Sequence, residues 1–145
     1  MSALSEFKDR YRRSVEALIQ GDAEPQKPMW SQRDDVTLAN PLGPPVRGPA
    51  AVYNAMDSAA SQIRDGEGPT VETISEWETP DMAYLVEIER TLVRLGTALE
   101  KIPVALRVTT IFFREDDGWK LVHRHADPLM ETRSLEALVR PSPFQ

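Results

Sequence analysis

Cysteine is absent from the sequence, which excludes disulfides, thiolate metal ligands and a cysteine nucleophile. Histidine is nearly absent. The chain of 145 residues has two, His123 and His125, both in one stretch. No apolar run approaches the length of a membrane-crossing helix, and the N-terminal MSALSEFKDRYRR lacks a signal-peptide core. Basic excess is lacking too: a net charge of −6 argues against a nucleic-acid surface. Gly43 and Gly48 do not have phosphate-loop spacing, there is no dinucleotide fingerprint, and no Ser-His-Asp order is recognisable. No cofactor is implied. What is present, 41% hydrophobic and 28% charged residues, describes a globular chain with one ordinary core, expected to be a single cytoplasmic domain over 1–145.

Local patterning predicts the elements in order. Leu4, Phe7, Tyr11, Val15, Leu18 and Ile19 recur at helical steps from Ser2 to Gln20, with Gly21 as a stop. Met29-Trp30-Ser31 reads as one helical turn, and residues 35–40 as a short strand closed by Pro41. Residues 41–49 carry too many prolines for a regular element. Pro49 opens a second helix with an apolar stripe of Val52, Met56, Ala59, Ala60 and Ile63, ending at Gly66. A strand follows from Thr70 to about Thr79, with Val71, Thr73, Ser75 and Trp77 on one side. Another runs from Ala83 to Leu95, where Tyr84, Val86, Ile88, Arg90 and Leu92 alternate with Leu85, Glu87, Glu89, Thr91 and Val93. A short helix is expected over 134–139, with the tail after about 140 frayed.

The stretch Pro103 to Pro128 predicts a hairpin. Glu115-Asp116-Asp117-Gly118-Trp119 suits a three-residue turn with glycine in the left-handed region; a two-residue turn would shift the register by one and exchange the faces. The three-residue form sets Phe113 opposite Leu121, Ile111 opposite His123, Thr109 opposite His125 and Arg107 opposite Asp127. That face grades from apolar to polar, like the wall of a pocket. The other face carries Val108, Thr110, Phe112, Val122 and Ala126, with Arg114, Lys120 and Arg124 among them. Helices segregated from long strands indicate an α+β domain with a largely antiparallel sheet.

Several of these pieces resemble the nuclear transport factor 2-like superfamily, in particular its SnoaL-like, ketosteroid-isomerase-like branch. They are the first helix ending in Gly21-Asp22, Met29-Trp30-Ser31, 35–38, 81–89, 106–109, and Arg114 to His125. The last of these is also similar to the closing strand of the calcium/calmodulin-dependent kinase II association domain. The resemblance implies a curved sheet wrapped around two or three helices as a cone with an internal cavity. It implies a homodimer joined through the outer sheet face, where Val108, Thr110, Phe112 and Val122 would lie. It implies chemistry ranging from isomerase, cyclase and hydrolase activity to none. Carried over by position, it puts Trp30 and Asn40 beside the cavity and Glu89, Arg107, Thr109, His123 and His125 near its wall.

The candidate catalytic residues are therefore His123, His125, Glu89 and Arg107, and the candidate ligand contacts are Trp30, Asn40, Thr109, Ile111, Trp119 and Asp127. Histidine titrates nearest neutral pH and suits proton transfer; a buried histidine bracing the core reads the same way. Arg107 opposite Asp127 fits either a carboxylate or phosphate ligand or a rim ion pair. His-x-His with Asp127 or Glu89 has a metal's ligand chemistry, but two histidines alone are too few to assign a metal. The expected function is binding of a small, partly apolar organic molecule, with or without acid–base chemistry. The alternative is a non-catalytic binding or oligomerisation module.

Overall fold

The computed structural model describes residues 2–139; the expectation of a frayed end beyond 140 lies outside that range. The first helix, α1 (Ala3–Leu18), is capped by the Ser2 hydroxyl, which accepts from the Ser5 N–H at 3.0 Å. Such a cap contributes about 1 kcal/mol. A 3-10 turn, Lys27–Met29, leads to β1 (Thr37–Ala39), β2 (Val46–Arg47) and the second helix, α2 (Pro49–Ala60). Four long strands follow: β3 (Ile63–Glu78), β4 (Met82–Leu95), β5 (Ile102–Glu115) and β6 (Gly118–Pro128). A short 3-10 turn, Leu135–Val139, comes last.

The strands form one six-stranded sheet in the order β2-β1-β6-β5-β4-β3, antiparallel except where β1 runs parallel to β6. This is the expected α+β architecture, a curved sheet with its helices on one face. The boundaries differ from the sequence reading in two places. The proline-rich stretch 41–49 yields β2, which pairs with β1. And α2 ends at Ala60, not Gly66, so Ile63 is not in its stripe: β3 begins at Ile63 rather than Thr70, because its first residues pair with Arg94 and Leu95. Gly66 is the contact that permits this: its N–H donates to the Ile19 carbonyl, and a Cβ there would stand 2.6 Å from the Ile19 side chain.

Bulges set which residues face the helices. β3 is irregular between Thr73 and Ser75, so Thr73 points inward toward Glu87 while Ser75 and Trp77 face outward beside Tyr84. The expected single face of Val71, Thr73, Ser75 and Trp77 is thereby split. In the β5–β6 hairpin the turn is the two-residue form, with Glu115 opposite Gly118 and Phe112 opposite Leu121. The extra residue sits further along, between the pairs Phe112–Leu121 and Ile111–His123. Beyond that bulge the expected pairs hold: Ile111–His123, Thr109–His125 and Arg107–Asp127.

The helices also cover the face opposite to the one expected. Val108, Thr110, Phe112, Val122 and Ala126 are buried on the concave side. Phe112 packs edge-on against Phe7 and Tyr11 of α1, with ring centroids at 5.3 and 5.6 Å. These residues were expected on an outer, dimer-forming face; the helix covers them. The bulge lets Leu121 and Val122, neighbours in sequence, both be buried, while His123 and His125 share the convex face of their partners Ile111 and Thr109.

Candidate functional site

Concave-face residues align in rows across β4, β5 and β6: Ala83–Phe112–Leu121, Leu85–Thr110–Arg124, Glu87–Val108–Ala126 and Glu89–Leu106–Pro128. The first row is hydrocarbon. The second and fourth are tied together by charge. Arg124 is bidentate to Glu89, each nitrogen 2.9 Å from a carboxylate oxygen. It also donates to the Tyr11 hydroxyl, which lies 3.0 Å from the Thr110 Oγ1. Because the guanidinium has only donors, the Tyr11 oxygen accepts from it, leaving the phenolic proton for Thr110.

Next to it, Arg12 of α1 reaches Glu87 at 2.7 Å, and the Thr73 hydroxyl donates to the same carboxylate at 3.4 Å. Tyr11, Glu87, Glu89 and Thr110 are all buried. Burial is the main force raising the Tyr11 pKa; Glu89 adds to it and Arg124 opposes it. Burial would push the Arg124 guanidinium down, but Glu89 and Tyr11 outweigh it and hold its pKa above the ordinary arginine value. The phenol is thus kept neutral beside a fixed cation. Tyr11 and Arg124, so perturbed and meeting Glu89 of β4 and Thr110 of β5, mark a candidate site.

The candidates read from the sequence divide between the two faces. Glu89 belongs to the concave set. Arg107, Thr109, Ile111, His123, His125 and Asp127 lie on the convex face, where Arg107 grips Asp127 with two bonds of 2.8 Å. The His125 side chain is 53% exposed, its Nε2 3.7 Å from Asp127. His123 is half-buried, its Nδ1 2.7 Å from the Thr37 hydroxyl. Its pKa is lowered by burial first and by His125 second. The sheet therefore separates Glu89 from the histidines and Arg107, so these four do not form one site. Glu89 cannot complete a His-x-His metal set either, and among the described residues no three His, Asp or Glu side chains cluster to hold a metal.

Trp30 is core, its indole N–H bonded to Gln26 at 3.2 Å. The Asn40 side chain accepts from the Leu42 N–H in the turn after β1. Trp119 lies at the hairpin end, lining an open hollow of about 430 Å³ with Arg114, Pro80 and the first turn of α1.

Tyr11, Arg12, Glu87, Thr110 and Arg124 are the residues the sequence reading missed. Tyr11 sits in the apolar stripe of α1, and Arg124 stands between Val122 and Ala126 on the face of Val108, Thr110 and Phe112. Each was a sign of an inward polar group, because a buried hydroxyl or guanidinium must find a partner.

The comparisons bear on the fold. A calcium/calmodulin-dependent protein kinase type II association-domain-like protein from Thiobacillus denitrificans is 25% identical, with a TM-score of 0.67. It aligns over 86% of this chain and 93% of its own. A dehydratase-like protein of the NTF2-like family from Streptomyces avermitilis is 20% identical (TM-score 0.72; 88% and 95% covered). A ketosteroid isomerase-like protein from Erwinia carotovora is 14% identical (TM-score 0.71; 88% and 94% covered). No curated protein matches. The family model for a SnoaL-like domain matches residues 8–131, nearly the whole described chain, and the protein belongs to the SnoaL-like family.

Proposed function

We propose that this SnoaL-like domain binds a small, partly apolar organic molecule at the open end of its concave face, with Tyr11, Arg124 and Glu89 as its polar recognition centre. The observation that carries this reading is the position of the buried Tyr11–Arg124–Glu89 set. It lies between the packed row of Phe112 and the less covered residues Val104 and Leu106. A ligand oxygen arriving there meets a fixed cation and a neutral phenol, and the Glu89 carboxylate is the base available for isomerase-, cyclase- or hydrolase-type proton transfer.

The test pairs a thermal-shift panel of alicyclic and aromatic ketones and carboxylic acids with the variant Tyr11→Phe, which keeps the ring. A ligand that binds only the folded state raises the midpoint. Tyr11→Phe should weaken that ligand about tenfold, the value of roughly one hydrogen bond. If no member shifts the wild type and Tyr11→Phe changes stability alone, the cluster braces the sheet and the ligand reading fails.

A second reading, self-assembly, is favoured by a different observation. The convex rows Trp77–Tyr84–Ile111–His123–Thr37 and Ser75–Val86–Thr109–His125–Ala39 form a broad surface without formal charge apart from the histidines, with Trp77 exposed. The proposal is a homodimer through these residues, in place of the buried Val108, Thr110, Phe112 and Val122. A monomer by light scattering at micromolar concentration would refute it.

A further inference from the structure

The concave face continues past Glu89 through Val104 and Leu106, half-buried, to Ile102, which is 42% exposed. Ile102 is far more open than its β4 partner Val93, which is 2% exposed. The chain leaves the sheet at this same place: the Leu129 N–H donates to the Ala105 carbonyl, just beyond the last pair of β6 with β5. From there it runs to a 3-10 turn, closed by the Ala137 N–H on the Ser134 carbonyl. In that turn Leu135, Leu138 and Val139 stand at three- and four-residue steps, each about four-fifths exposed. Residues i and i+3 eclipse in a 3-10 helix, so Leu135 and Leu138 point the same way.

We infer that the segment Leu129–Val139 is a strap that folds over the concave end of its own protomer, seating Leu135 and Leu138 on Val104, Leu106 and Ile102. Two unpartnered apolar surfaces sit on one chain, and one is tethered to the rim of the other. The link Met130–Ser134 spans up to roughly 17 Å when extended. All three targets lie on β5, one strand spacing of about 5 Å from β6, and the furthest, Ile102, is about 13 Å along the strand from Leu106. The tether therefore reaches without strain. The strap's purpose, closing over a bound molecule beside Glu89 and Arg124, rests on the ligand-binding reading above. Its position does not.

The lack of native cysteine makes the test clean. In the full chain carrying Val104→Cys and Leu138→Cys, mild oxidation should give an intramolecular disulfide, seen as a loss of two hydrogens at monomer mass. The pair Lys120→Cys and Leu138→Cys, with Lys120 on the hairpin at the other end of β6, should give none. A disulfide between two chains would assign the strap to the partner protomer and overturn the inference. So would equal yields from both pairs, or no product from either. Independently, Leu135→Ser with Leu138→Ser should raise anilinonaphthalene sulfonate fluorescence several-fold by uncovering the concave end. Unchanged or lower fluorescence would mean that these side chains cover nothing. Neither measurement requires a ligand, so the strap and the ligand reading fail separately.

Discussion

Strands β5 and β6 carry two polar clusters on opposite faces, and the contrast between them is instructive. On the convex side Arg107 and Asp127 make a two-bond ion pair with near-ideal distances, yet the Arg107 side chain is 61% exposed. On the concave side Arg124 and Glu89 make the same fork-to-carboxylate arrangement with side chains 11% and 4% exposed. The geometry is the same, but the solvent is not. Water screens the first pair, so its removal exposes charges that were already hydrated. The second pair has given up its water, and each charge is tolerable only because the other is present.

Breaking both pairs in the same way gives the largest expected effect. Arg124→Met should cost about 3–5 kcal/mol, because Glu89 is left buried and uncompensated; chemical denaturation monitored by circular dichroism measures it. Arg107→Met should leave the denaturation midpoint nearly unchanged. Comparable losses in the two variants would mean that the concave cluster is wetter than its burial indicates. Replacing Arg124 and Glu89 together by apolar residues should recover much of the loss, since the desolvation cost of both charges is then removed.

The bulge between Leu121 and His123 keeps Leu121 and Arg124 on one face despite the extra Val122, and deleting Val122 tests whether it does anything more. A regular strand would then run Trp119, Leu121, Arg124 and Ala126 along the concave side, the orientation each has now. The deletion should therefore fold, losing about 1.5–3 kcal/mol for the buried valine. The concave ion pair should survive, so a following Arg124→Met should still cost its full amount. If the deletion unfolds the chain, the bulge is needed for curvature as well as for phase.

The same residue explains what could be read from the sequence. Helix α1, the β4 alternation and the far half of the hairpin register were legible, because long periodic segments outweigh local detail. The preferred turn carried the right extra residue at the wrong place. Placing it at Gly118 reproduced the pairs Ile111–His123 and Thr109–His125. It could not reveal that Leu121 and Val122 are both buried, which reverses the faces of everything between them and the turn. Glycine announces a turn bulge through its backbone freedom; a bulge at two apolar β-formers leaves no such mark. The candidate site failed for a second reason. Histidines attract attention because they titrate near neutrality, whereas Tyr11 and Arg124 became unusual only through burial, a tertiary property. The better clue was a cation between Val122 and Ala126.

The smallest effect is on the convex face and separates the clusters by pH. Burial first, then the neighbouring His125, hold the His123 pKa below its ordinary value of 6.5. The groups facing it are the Thr37 hydroxyl from β1, Ile111 from β5 and His125 on its own strand, with Asp127 beyond. A histidine whose folded pKa is depressed binds its proton more readily when unfolded. Its contribution is therefore fully present above pH 6.5 and is lost as the pH falls from there through the lower, folded value. Thermal midpoints of the wild type should decline over that window, and His123→Gln should flatten the decline while leaving the Arg124→Met penalty untouched. In a dimer joined through this face His123 would be further desolvated. The window should then sharpen with protein concentration, and a pH profile independent of concentration would place His123 outside any subunit contact.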